Sequence, residues 1–370
     1  MSTTLPRPSP PFTPEQDDLR ASIRAFVETE LRPHAASWEA AHWFPDEVFG
    51  AMAREGLLGL KYPVAHGGRG GTYLDDAVLT EELARCGSGG LAAGIGAHVG
   101  IATPPVAAFG TEDQKARYLA PAIAGEKIAA LAITEPDAGS DVAAIRTLAT
   151  PVDGGWLVNG SKMFITNGVR ADVYVTAVKT TAQGGHKSLS FLLVDKQDGV
   201  RASAIEKLGW QASDTALIAF EDVFVPAENL LGREHEGFYL IMANFQWERL
   251  LMALGAVAAM QGALDRAVAL GPAGQAHRHA LADIATTIAA GRALTYHALR
   301  LFLHDIDATR EVTEAKLATQ RACFDVMDRL LGLAPDDDEL ARAARDARLG
   351  PIGGGTDEIM REILGKTLGL

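Results

Sequence analysis

The chain has 370 residues, room for two or three domains, and its 48% hydrophobic and 22% charged residues are ordinary for a folded, water-soluble protein. A net charge of -13 and a pI near 5.2 argue against a broad nucleic-acid or anionic-membrane surface. Only Cys86 and Cys323 occur, without CxxC spacing and without a secretory signal ahead of them, so neither a disulfide framework nor a thiolate metal centre is expected and a cytoplasmic location is.

Residues 1–11, with Pro6, Pro8, Pro10 and Pro11, read as a loose tail. The helical period then starts, with Leu19, Ile23, Phe26, Val27 and Leu31 on one stripe and Thr13 and Gln16 in the positions of a capping box. Helical segments follow at Asp46 to Arg54 and Leu74 to Cys86, and EDQKARYLAPAIAGE closes the part. HGGRGG at 66–71 lacks the Lys-Ser or Lys-Thr of a phosphate loop and reads as a plain turn.

From about Lys127 to Gly232 the period changes. WLVNGSKMFIT, ADVYVTAVKT, SLSFLLVD and TALIAFEDVFV are short alternating or β-branched runs separated by turn signals. From about Phe238 the helical period returns, first through Gln261 and again from His279. His277 and His279, two apart, point to different sides of a helix, and no metal site is expected. No apolar run reads as long enough to span a membrane. Helices, strands, then helices is an α+β layout, without the βαβ alternation of a dinucleotide-binding sheet.

Two segments carry chemistry. In TEPDAGSD (134–141) a turn at Gly139 lets backbone approach a ligand, and Thr134 and Ser140 add hydroxyls; an ordinary hairpin turn uses the same residues. NGSKMFITNG follows about twenty residues on. This pair resembles the flavin-gripping centre of the acyl-CoA dehydrogenase family, and LGWQASDTALIAFEDVFVPAENLLG and RDARLGPIGGGTDEIMREIL also resemble family segments in the expected order. The resemblance runs from Phe12 to Gly369. It implies an N-terminal helical domain (1–126), a middle β domain (127–233) and a C-terminal four-helix-bundle domain (234–370).

The resemblance also implies FAD as cofactor and α,β-dehydrogenation of an acyl thioester. Such chemistry needs a carboxylate to take the α proton, a hydride acceptor, and a donor to the thioester carbonyl. In many relatives the base is a Glu two residues before a Thr in the C-terminal segment. Here that position is Gly354, whose backbone N–H remains as a carbonyl donor. In the long-chain and isovaleryl branches the base stands in a Glu-Arg-Leu helix segment, and Glu248 stands there, on one face with Met252, Gly255 and Ala259. An ordinary solvated glutamate is the other reading of Glu248. Buried beside flavin and acyl chain, it is expected to have a raised pKa. By the same resemblance Thr134, Ser140, Phe164, Thr166, Thr356 and Glu358 contact FAD, and Ser140, Phe245 and Arg249 contact the substrate. Strand core is the alternative for Phe164, a core aromatic for Phe245, a surface cation for Arg249; Lys162 reads as a surface residue.

The chain departs from the pattern at three places. An Asp that often follows the Phe is Gln246, which weakens the case for coenzyme A against a carrier-protein thioester. The Arg-x-x-Phe-Gly and Gln-x-x-Gly-Gly-x-Gly segments, which reach the adenosine diphosphate half of a neighbouring subunit's FAD, are missing. In the second, only Gly332 remains, beside an acidic run from Asp336 to Glu339 that reads as a solvated loop. Expected partners are the acyl thioester, an electron-transfer flavoprotein or other acceptor, and further copies in a dimer or tetramer, or a homologous subunit in a heteromer. Alternative functions are a non-catalytic or half-catalytic subunit of a heteromeric dehydrogenase, or a flavin monooxygenase or oxidase.

Overall fold

A computed structural model describes residues 11–181, 185–271, 273–304 and 306–370. Pro6, Pro8 and Pro10 of the expected tail lie outside the described residues. The chain divides into two compact units, one of Met1–Ala36, Thr72–Ser88 and Arg249–Leu370, the other of Ser37–Gly71 and Gly89–Glu248.

In the first, helical unit, the Pro14–Phe26 helix starts as expected: the Thr13 N–H donates to Gln16 Oε1 at 3.1 Å. Ile23, Val27 and Leu31 are buried and Leu19 and Phe26 half-buried, so the apolar stripe faces inward. Arg20 and Arg24 reach the Tyr73–Leu83 helix and donate to the buried carboxylate of Glu82 at 3.0 and 2.8 Å. The apolar core of the unit, including Val257, Met260, Leu264, Ile284, Ile288, Val326, Leu330 and Leu340, comes from four helices. These are Gly237–Ala269 (its later part), Gly274–Leu303, Thr309–Leu333 and Asp338–Asp346, and the first two extend beyond the limits read at Gln261 and His279. Asp357–Thr367 lies against Thr309–Leu333. Cys323 contributes to the core, and Cys86 is buried as well.

The acidic run is not a solvated loop. Asp337 caps the Asp338–Asp346 helix by accepting from the Leu340 N–H at 2.9 Å, and its two oxygens take a forked pair of bonds from Arg266 at 2.7 and 2.6 Å. Glu339 is held between Arg32 and Arg266 at 2.9 and 3.0 Å. The negative charge of Asp337 and Glu339 is therefore spent on the chain's own guanidinium groups.

The second unit is built on one mixed eight-stranded sheet of β1 (Ala129–Ala132), β2 (Leu148–Val152), β3 (Gly155–Ile165), β4 (Val173–Lys179), β5 (Leu189–Asp195), β6 (Val200–Ala204), β7 (Ala216–Pro226) and β8 (Leu230–Leu231). The hydrogen-bonded order is β6-β7-β3-β2-β4-β5-β8, and β1 joins β4 in parallel. Alternation along β4 explains its central place: Val173, Val175 and Ala177 enter one core, with Tyr62 and with Val106, Tyr118 and Leu119 from helical segments, while Tyr174 and Val178 enter the other, with Trp156, Val158, Ile218 and Phe220.

HGGRGG is a turn, as expected, for a reason visible in its amides. The N–H groups of Gly67, Gly68, Arg69, Gly70 and Gly71 donate to Val64, Pro63, Gly59, Tyr62 and Leu60, which leaves no nest of amides for an anion. One reading needs correction. The helical stretches Gly89–Phe109 and Gly237–Ala269 are long and apolar enough to cross a membrane, with 67% and 44% of their most apolar windows buried inside the protein. Small residues and glycines dilute the apolar run in both.

Candidate active site

The sheet unit brings the two motif segments together. β1 leads into the 134–141 turn, where Glu135 and Ala138 form an isolated bridge, with Glu135 N–H donating to Ala138 O at 2.9 Å. Beside it runs the end of β3: the Met163 N–H donates to Thr134 O at 2.8 Å. Asp141 closes the turn by accepting from the Ala143 N–H at 3.1 Å. Thr134 is half-buried, and Gly139 and Ser140 are exposed.

β3 does not keep its alternation to the end. Its register with β7 slips between Lys162 and Ile165, so that Ile165 points into the core and Phe164 does not. Phe164 has φ +61° and is 61% exposed, and Asn167 just beyond it has φ +62°. A bulky residue in the left-handed region is an outlier, and a bulge of this kind re-aims a side chain. Phe164 is thus not strand core. A flat apolar face on Phe164 and half-buried hydroxyls on Thr134 and Thr166, beside a glycine turn, are the groups that fit a flavin ring.

Lys162 is not a surface residue. Its side chain is fully buried, and Nζ donates to Glu135 Oε1 at 2.8 Å and to Ile133 O at 3.0 Å. Burial draws the ammonium down to about 8 against the attraction of Glu135. Burial opposes the Glu135 charge too, but the Lys162 ammonium and N–H donors hold its carboxyl below the ordinary range, so both are charged at neutral pH. Period two places Lys162 in line with the buried Trp156 and Val158, and that was the available signal.

In the helical unit, Gly354 and Gly355 have φ +61° and +92°, a conformation glycine adopts without cost. Lys316, fully buried, donates to the carbonyls of Gly350 and Gly355 at 3.0 and 2.6 Å and so fixes the loop from both ends. Among the described residues, no acceptor takes the Gly354 N–H. Arg249 is 7% exposed, and its Nε lies 3.9 Å from where a Cβ on Gly355 would stand, so it is not a surface cation. Thr356 caps the Asp357–Thr367 helix, its hydroxyl accepting from the Ile359 N–H at 3.3 Å. Glu358 is exposed, and the helix-start N–H of its own residue, with the Thr356 hydroxyl, lowers its carboxyl.

Glu248 lies on the Gly237–Ala269 helix and is half-buried, as are Met252, Gly255 and Ala259 at helical spacing from it. Arg249, Leu250, Ala253, Leu254, Ala256 and Val257 beside that line are buried. Glu248, Met252, Gly255 and Ala259 thus share one partly open face of the helix, with the half-buried Leu251 beside them. Phe245 is half-buried and packs on the apolar core of the sheet unit. Gln246 is half-buried. His277 accepts from the Ala273 N–H at 3.1 Å, an ordinary helix-start contact.

Family models of the acyl-CoA dehydrogenase N-terminal, middle and C-terminal domains match residues 13–126, 130–223 and 235–369. The chain is 35% identical to the mitochondrial long-chain specific acyl-CoA dehydrogenase of Sus scrofa, over 96% of this chain and 87% of the relative. It is 34% identical to an acyl-CoA dehydrogenase of Bacillus subtilis, over 96% and 98%. A solved structure of a probable acyl-CoA dehydrogenase from Mycobacterium abscessus superposes with a TM-score of 0.92 at 39% identity, covering 96% of this chain and 99% of that one.

Proposed function

The chain belongs to the acyl-CoA dehydrogenase family and is an FAD-dependent oxidoreductase acting on a CH–CH bond of an acyl thioester, and we propose that Glu248 is its base. The observation that carries the assignment is the complementarity of two positions. Gly354 offers no side chain and is held at φ +61°, where a Cβ-bearing residue costs about 1–2 kcal/mol, whereas Glu248 lies on a partly open face of its helix with Met252, Gly255 and Ala259.

FAD, when bound, supplies the acceptor for the β-carbon hydride. Glu248 takes the α proton through a carboxylate oxygen and holds it until the product leaves. The Gly354 N–H donates to the thioester oxygen, where negative charge gathers as the proton departs; a backbone donor braced by Lys316 needs no reorganisation at that moment. Thr134, Ser140, Phe164, Thr166, Thr356 and Glu358 hold the cofactor, and Ser140, Phe245 and Arg249 contact the carrier arm. Met252, Gly255 and Ala259 give the acyl chain room. The physiological setting we infer is the cytoplasm, with an electron-transfer flavoprotein or similar acceptor, and with the chain assembled as a dimer or tetramer.

The non-catalytic-subunit alternative is not favoured, since matches to all three domains run through relatives named as dehydrogenases. The test is anaerobic mixing of FAD-loaded protein with a panel of acyl-CoA and acyl-carrier thioesters. Bleaching of the flavin band by at least one is expected; a flavin that stays oxidised with every thioester overturns the reading. Reduced protein that passes electrons to oxygen faster than to an artificial acceptor would move the activity to an oxidase.

A further inference from the structure

Glu135 and Lys162, one in each motif segment, are buried against each other and take part in no step proposed above. Within those segments Glu135 follows Thr134, and Lys162 precedes Met163 and Phe164. One carboxylate gathers three strands of chain. Its Oε1 accepts from Lys162 Nζ at 2.8 Å and from the Thr147 N–H at 2.9 Å, and its Oε2 accepts from the Arg146 N–H at 2.5 Å. Lys162 returns to the first segment through Ile133 O at 3.0 Å. The arrangement is closed further by the Thr147 hydroxyl, which donates to Ser161 O at 3.2 Å, and by Gly160, where a Cβ would stand 2.6 Å from Thr147 Oγ1.

Resting on the flavin assignment, we propose that Glu135 and Lys162 are a buried positioning pair that fixes the distance between the 134–140 turn and the bulged end of β3, and so presets the flavin pocket before cofactor arrives. A buried ion pair gives little net stability, because desolvation offsets most of the attraction, and is best understood where it specifies one arrangement. Here the arrangement specified is the one that turns Phe164 outward. Register alone would not do so: the ladder between β3 and β7 is broken between Lys162 and Ile165, over the residues that carry Phe164. With the Met163 N–H to Thr134 O bond, the pair supplies the anchor that the ladder lacks.

The test uses the full-length protein with and without FAD. Lys162→Met is expected to weaken FAD binding by about ten- to a hundredfold and to shift the flavin absorption bands, with partial recovery of both in Lys162→Arg. A purely structural role would lower the melting temperature of the apoprotein and leave the spectrum and affinity of the folded variant unchanged, and that result overturns the proposal. Should the buried carboxylate left by Lys162→Met prevent folding, the uncharged double variant Glu135→Gln with Lys162→Met carries the same readouts. In the unaltered apoprotein, slow hydrogen exchange at the Arg146, Thr147 and Met163 amides is expected. Fast exchange there, becoming slow only with FAD, would show that the pocket is not preset and would also overturn the proposal. An unaltered chain that takes up no FAD would instead overturn the flavin reading, and the positioning role with it.

Discussion

Phe164 is held in a left-handed conformation with most of its ring exposed, which no packing requirement explains. Phe164→Ala should therefore leave the melting temperature of the apoprotein nearly unchanged and weaken FAD binding about tenfold, the loss of one good aromatic contact. Titration of the apoprotein by flavin fluorescence reads this; a large fall in stability with unaltered affinity would make Phe164 a structural residue. His98 shows the opposite kind of burial. Its Nδ1 accepts from the Ala129 N–H at 3.1 Å and its Nε2 donates to Ala122 O at 3.1 Å, which fixes one neutral tautomer. Burial lowers it from 6.5 to about 4. The unfolded chain then binds a proton that the folded chain refuses, so the stability this histidine contributes is complete above pH 6.5 and is lost as pH falls toward 4, by roughly 3 kcal/mol. Denaturant melts of the unaltered chain and of His98→Gln across this window should differ in slope by about one proton; parallel slopes would contradict the assignment.

Among the elements, β3 shows best where reading a sequence succeeds and fails. Its alternation from Trp156 to Lys162 is legible, and followed strictly it buries Lys162, yet the chemistry of a lysine suggested the surface. Nothing local names its partner, because Glu135 is 27 residues away and pairs only through the sheet. Beyond Lys162 the alternation misleads, since a bulge reverses it and no turn residue marks the reversal. β3, β4, β5 and β7 are long enough to show a period; β1, β2, β6 and β8, of two to five residues, are too short to show one. The acidic run is a second case. Charge density suggests solvent, but Asp337 is a helix cap and the partner of Arg266 at once. Asp337→Ala should lower stability by about 1–2 kcal/mol through the lost cap, with a further loss from the forked Arg266 bonds, which Glu339 replaces only in part. A change below 0.5 kcal/mol in chemical denaturation would show that the run is solvated after all.

At the scale of the molecule, the order of helical, strand and helical segments is readable because the hydrophobic period changes at about residue 127 and again between about Gly232 and Phe238. The compact units are not readable in this way: 72–88 joins the C-terminal helices although it lies within the first helical stretch, because Arg20, Arg24 and Tyr296 converge on Glu81 and Glu82. The candidate site was legible where a motif is contiguous, at 134–141 and 164–167. It was not legible where a role depends on a long-range pair, at Glu135 with Lys162. Assembly follows a separate prediction. Light scattering of the FAD-loaded protein at micromolar concentration should give the mass of a dimer or tetramer, as closed symmetric assemblies do; a monomer with flavin bound would contradict it.

Glu248 is the residue on which the proposed proton transfer depends. The glutamine variant is nearly isosteric but cannot accept a proton, so fold and flavin content should persist while the chemical step fails. The decisive measurement is the rate at which the flavin of Glu248→Gln is reduced by an acyl thioester in anaerobic stopped flow. The rate should fall by about two to four powers of ten relative to the unaltered chain. Reduction at the unaltered rate would make Glu248 a helix-surface carboxylate and place the base elsewhere.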